Sequence, residues 1–192
     1  MTGETVGSAM LGDLERIAYH EAGHVAVRRN FERAIFLERG YVLIDSVGGY
    51  GQTGLNSGNL WGGRSDPPLI DHPSIVTAMA GRAAEAIRYH DSSHVESVAL
   101  SAGSDEPLAR CYIRILHGHN LSDDDIADKI REAEAEASRI VRGVWDGVKA
   151  LAETLLTRLK TGRDDNAELT GAEALHVMDT ALRLASTWGE PA

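Results

Sequence analysis

With 192 residues, 43% of them hydrophobic and 25% charged, the chain has the make-up of a one-domain soluble globular protein, and neither a disordered nor a membrane-spanning class fits. A formal net charge of -10 at pH 7 provides no positive field to gather phosphate backbones or anionic lipid, which argues against nucleic acid and membranes as partners. The single cysteine, Cys111, can neither close an internal disulfide nor build a thiolate metal site, and it reads as a small buried hydrophobe in a reducing compartment.

The opening residues, MTGETVGSAMLGD, lack the basic start and apolar core of a secretory signal, and no apolar run reaches the roughly 20 residues of a membrane span, so a cytoplasmic protein is expected. From Asp13, a candidate N-cap, to residue 29, the residues Leu14, Ile17, Ala18, Glu21 and Val25 recur at spacings of three and four, which predicts a helix with one buried face. Residues 41 to 55, YVLIDSVGGYGQTGL, read as two strands joined by a turn. The GYGQTG within them satisfies GxGxxG, but loop rather than helix follows, so a hairpin is expected and not a phosphate cradle. Residues 55 to 74 carry Gly, Asn, Ser and three prolines and read as a long loop, in which Trp61 is either a substrate contact or a local anchor.

Pro73 suits a first helical turn, and Ile75, Val76, Met79, Ala80, Ala83, Ala84 and Ile87 form one stripe, predicting a buried helix over residues 73 to 90. Ser104 opens a further helix with Asp105 and Glu106 in its positive first turn, where Pro107 is tolerated. From Ser122 to Leu159 an apolar seam that includes Ile126, Ile130, Ile140 and Leu151 predicts one long helix or two nearly continuous ones, with Gly143 and Gly147 as points of bending. Its acid-rich run, Asp123 to Glu136, reads as a solvated face with paired arginines and lysines. Thr170 followed by Glu173 is a capping box that starts the last helix. The fold class is therefore mainly α with a small β-sheet (α+β).

The stretch YHEAGH, residues 19 to 24, carries the chemistry. A helix advances about 100° per residue, so His20 and His24 stand one turn apart on one face, close enough for both imidazoles to reach one ion, with Glu21 beside them. Two imidazoles and a third ligand hold zinc with a position open for water, and an adjacent carboxylate can take that water's proton and hand it on to a leaving amine. This is the chemistry that HExxH serves. A metzincin would need a glycine and a further histidine downstream, where this chain has Val27 and Asn30. The third ligand must come from elsewhere. Other histidines are read as structural: HDSSH, with His90, Asp91 and His94, as a solvated loop, His117 and His119 as helix-end residues, and His176 as an ordinary position on the last helix.

IAYHEAGHVAV resembles the zinc helix of the FtsH-type ATP-dependent metalloproteases, whose pattern is AYHEAGHAV. TAMAGRAAEAI, residues 77 to 87, resembles that family's GGRAAEE helix, and SAGSDEPLARCYI, residues 101 to 113, its TTGAxNDLxxAT segment. The stretch from Asp123 through Leu159 is similar to the family's long helix, and ELTGAEAL to its closing segment, in the family's order. The resemblance implies an FtsH-protease-like helical domain with an HExxH zinc helix. It implies His20, His24 and Asp105 as zinc ligands, the last because Ala109 stands four positions on, although the stretch from Gly103 to the aspartate is two residues shorter than the pattern. Glu85 is the rival ligand, and the resemblance implies that it supports the site nearby by orienting a histidine.

The expectation is a single peptidase-like domain over residues 1 to 192, with the zinc-site region and small sheet in 13 to 120 and the C-terminal helices in 121 to 192. Neither a Walker motif nor a spanning segment occurs in these residues, so a stand-alone zinc metalloendopeptidase is expected, independent of ATP on its own, with Glu21 as general base and peptides or unfolded proteins as substrates. The substrate is expected to add as a strand along the edge near residues 41 to 46, and Arg82, His90 and His94 are the candidates for stabilising the oxyanion. A homo-oligomer and a separate ATPase partner remain open from the resemblance. The rival reading is a non-catalytic protein-binding module that keeps the peptidase fold.

Overall fold

The computed structural model describes residues 4–47, 49–55, 70–89, 105–162 and 164–188. In chain order these form α1 (Glu4–Phe31), α2 (Arg33–Arg39), β1 (Gly40–Asp45), β2 (Tyr50–Leu55), α3 (His72–Ala78), α4 (Ala80–Tyr89), α5 (Asp105–His117), α6 (Asp123–Gly143), α7 (Trp145–Thr161), β3 (Asn166–Thr170) and α8 (Gly171–Trp188). The described chain is mainly helical with one small antiparallel sheet, an α+β architecture. No described helix is long and apolar enough to cross a membrane.

The core gathers around α1, whose Ala18, Ala22, Val25 and Val27 are buried. Small residues let α4 approach closely: a Cβ on Gly23 would run into the Ala80 carbonyl and the Ala84 methyl. Behind α1, the helix α7 buries Val148, Leu151, Ala152 and Leu155, and α8 contributes Ala174, Leu175 and Met178. In α6 the buried Ile126, Ile130, Ala133, Ala137 and Ile140 follow the spacing of one helix face. Its first turn is closed by a capping box in which Ser122 Oγ accepts from the Asp125 N–H at 3.1 Å. Outward-facing acids of that helix pair as expected, Asp128 with Arg131, Glu134 with Arg82 and Glu136 with His72.

The sheet order is β2-β1-β3, all antiparallel. Val42 and Ile44 of β1 alternate inward, and Ala167 and Leu169 of β3 do the same beside them, the two-residue period of a half-buried sheet. Tyr41 pairs with Gly54 on one side and Thr170 on the other, so the sheet joins segments from both ends of the sequence. Thr170 then caps α8: its N–H donates to Glu173 Oε2 at 2.8 Å, and its Oγ1 accepts from the Glu173 N–H at 3.3 Å.

Several local expectations need correction. The first helix begins at Glu4, so Asp13 lies inside it rather than capping it; no proline interrupts the preceding residues, and helix continues through Gly12. The stripe from Pro73 to Tyr89 is two helices meeting at Met79, whose N–H bonds back to both Ile75 and Val76 carbonyls. Of the two forms expected after Ser122, the chain takes two nearly continuous helices, parted at Val144 (φ -128, ψ 27) beside Gly143; only the bend at Gly147 is corrected, since that residue sits within α7 packed against Met178. Cys111 is exposed, because α5 turns Ala109 and Ile113 inward and position 111 falls between them on the opposite face. The hairpin expected at GYGQTG needs no correction: Gly49, at φ +61, is in the turn and the rest is β2. Trp61, most of the 55 to 74 loop, and His90, Asp91 and His94 lie outside the described residues.

Candidate metal centre

α1 carries His20, Glu21 and His24 at the floor of a cleft of about 790 Å3, and β2 and α5 line it with Thr53 and Asp105 among others. His20, Glu21 and His24 offer potential ligand atoms within 4.8 Å of one another. Each imidazole is held by its outer nitrogen. His24 Nδ1 donates to the Thr77 carbonyl at 2.7 Å, where α3 ends. His20 Nδ1 lies 2.5 Å from Glu85 Oε1, a carboxylate on α4 with 0% exposure, and Arg16 Nη1 approaches the other oxygen at 3.6 Å. Because a carbonyl and a carboxylate accept, each Nδ1 carries a proton, and each ring when neutral presents its Nε2 lone pair inward. These two nitrogens are 3.1 Å apart.

Asp105 Oδ2, from the first turn of α5, lies 2.8 Å from His20 Nε2 and 3.3 Å from His24 Nε2. This oxygen is buried, and it meets a donor hydrogen from a ring only when that imidazole is doubly protonated; against neutral rings it has no hydrogen-bond partner. With both Nε2 atoms deprotonated, as metal binding requires, three electron-pair donors converge. A tetrahedral ion with bonds of about 2.0–2.1 Å sets its ligands roughly 3.3–3.4 Å apart. The observed separations of 2.8, 3.1 and 3.3 Å approximate one face of such a tetrahedron, slightly contracted. The residues therefore fit a zinc-sized cation.

Electrostatics agree with the geometry. In the chain without an ion a proton takes its place: burial opposes the charge, but hydrogen bonding to Asp105 and Glu85, with Glu21 nearby, raises the His20 imidazole from 6.5 to about 10. Burial opposes the charge on Asp105 too, yet His20 and His24 hold its carboxyl well below the usual carboxylate range. Glu21, only 5% exposed, is turned to the strand side, where its Oε2 accepts from Thr53 Oγ1 at 2.7 Å. Gly51 lies directly against it, since a Cβ there would meet Glu21 Cγ and Oε1. On the other side, Gly81 of α4 sits so close to the His20 ring that a Cβ would overlap three of its atoms.

Of the expected site residues, the structure brings His20, His24, Asp105, Glu21 and Glu85 into one cluster. Arg82 is engaged elsewhere, at 3.3 Å from both Glu106 and Glu134, and does not line the cleft. The expected edge at residues 41 to 46 is corrected: β1 is paired on both sides, and among the described residues β2 is the edge strand that borders the cleft. Sequence reasoning missed Thr53, Gly51, Gly81 and the Thr77 carbonyl; only the small-residue run around Gly81 hinted at a close approach. Among known proteins, no family model and no curated protein matches the chain.

Proposed function

We propose that this protein is a zinc metallopeptidase in which His20, His24 and Asp105 hold the ion and Glu21 is the general base. The observation that carries the reading is the convergence of two Nε2 atoms and Asp105 Oδ2 beside a buried carboxylate, Glu21, that is turned towards Thr53 instead. The sequence resemblance to FtsH-type proteases, and with it an FtsH-protease-like domain, supports it. When bound, zinc supplies Lewis acidity, lowering the proton affinity of a water and polarising a carbonyl.

The chain's own residues do the rest. Glu85 and the Thr77 carbonyl lock both rings with Nε2 facing inward. Thr53 and Gly51 keep the Glu21 carboxylate at the cleft wall, where it takes a proton from the attacking water and returns it to the leaving amine. The substrate is an extended peptide or an unfolded segment, added along the outer edge of β2. Zinc content and cleavage of casein or short peptides test the reading, with Glu21→Gln as control. One zinc per chain is expected, kept in the variant, with a loss of activity on the order of 100-fold or more. Undiminished cleavage by Glu21→Gln removes the role given to Glu21, and a metal-free chain after zinc loading removes the centre.

A further inference from the structure

The cleft continues past the metal centre. Arg28 of α1 and Glu32, the residue between α1 and α2, follow His24 at four-residue spacing; the Glu32 N–H still donates to the Arg28 carbonyl at 2.7 Å, so the face that presents His24 extends along the same cleft. The facing wall comes from α5, where Leu108 and Tyr112 stand one and two turns beyond Asp105, and Leu108 is 42% exposed. Arg28 Nη1 donates to Glu32 Oε2 at 2.5 Å, which fixes the guanidinium, while its buried Nε has no hydrogen-bond partner. A guanidinium is a planar fork of five donors suited to a carboxylate, and Glu32 engages it through one nitrogen. This arm of the cleft therefore joins Leu108 and Tyr112 to a guanidinium that spends Nη1 on Glu32 and keeps Nε covered, leaving Nη2 as the nitrogen to meet a second carboxylate.

We infer that this arm receives a carboxylate of the substrate on Arg28, so that peptides are selected for an anionic group on the His24 side of the scissile bond. The carboxylate is either the C-terminus of a short peptide or an aspartate or glutamate side chain. This inference rests on the peptidase reading, so its test reads binding separately from hydrolysis. The zinc-loaded Glu21→Gln protein is titrated calorimetrically with an alanine-leucine hexapeptide as free acid, as C-terminal amide, and as amide with aspartate at each position in turn. Tighter binding on the order of tenfold is expected for either the free acid or one aspartate position over the neutral amide. Arg28→Gln added to this protein removes the preference and leaves the neutral amide unaffected, and Arg28→Lys keeps part of it.

A preference for the free acid alone identifies the terminal carboxylate; a preference for one aspartate position identifies a side chain. Equal or absent binding of every peptide overturns the inference, as does a preference that survives Arg28→Gln in protein that retains its zinc. Cleavage by the wild type without any acid preference leaves the peptidase standing and removes Arg28. A preference without wild-type cleavage does the reverse.

Discussion

Glu85 holds His20: the Oε1–Nδ1 separation is 2.5 Å, and the carboxylate is wholly shielded from solvent. That contact decides which nitrogen of the ring faces Asp105. Glu85→Gln keeps the shape but removes the charge that orients the imidazole and sustains its basicity. Zinc affinity, read by competition with a chromogenic chelator, is expected to fall roughly 10- to 100-fold.

The basic shift of His20 gives metal uptake a pH dependence. Its proton must leave before zinc binds, so apparent affinity is expected to rise with pH up to about 10, with proton release visible as a buffer-dependent heat in calorimetry. The same shift acts on the ion-free fold. A pKa raised from 6.5 to about 10 contributes stability that is complete below 6.5 and lost as pH rises through 10. Asp105, shifted down, contributes above its ordinary value of 3.8, and that part is lost as pH falls through its depressed value. Thermal melts of ion-free protein are therefore expected to decline from pH 7 towards pH 10, and melts of zinc-loaded protein to decline less.

Thr53→Val removes the hydroxyl that steadies Glu21 while keeping a strand-favouring shape. We expect kcat for peptide hydrolysis to drop by about tenfold with zinc content unchanged, and Thr53→Ser to recover most of it. A drop that serine does not reverse assigns Thr53 to packing alone.

Gly81→Ala places a methyl group where the His20 ring now lies. Relief requires the ring or the helix to move, at a cost of about 1–3 kcal/mol. The variant is expected to melt at lower temperature and to lose zinc before it loses helix content, a sequence that parallel metal analysis and circular dichroism follow.

What was legible in the sequence was local. His20, Glu21 and His24 share one turn of helix, so their common face follows from helix geometry alone. Asp105 has no such spacing to the histidines, and only likeness to a family pointed to it; the fold delivers it on a separate helix. Thr53 and Gly51 were invisible because strand-against-helix packing leaves no periodic trace in a single chain. Cys111 was misplaced by register: on a helix with Ala109 and Ile113 inside, the residue midway points out. β3 escaped notice because its five residues, NAELT, offer only Ala167 and Leu169 as an inward pair. The substrate edge was assigned to β1 because β3, the strand that occupies its other side, had not been foreseen.

The position of β3 also bears on how the fold is completed. Residues 166–170 supply the second hydrogen-bonded neighbour of β1, which in turn supports the strand that braces Glu21. The helix that carries the histidines and this support are far apart in sequence, so local contacts alone cannot complete the wall beside Glu21. Refolding is therefore expected to order the histidine turn before it orders the strand that bears Thr53.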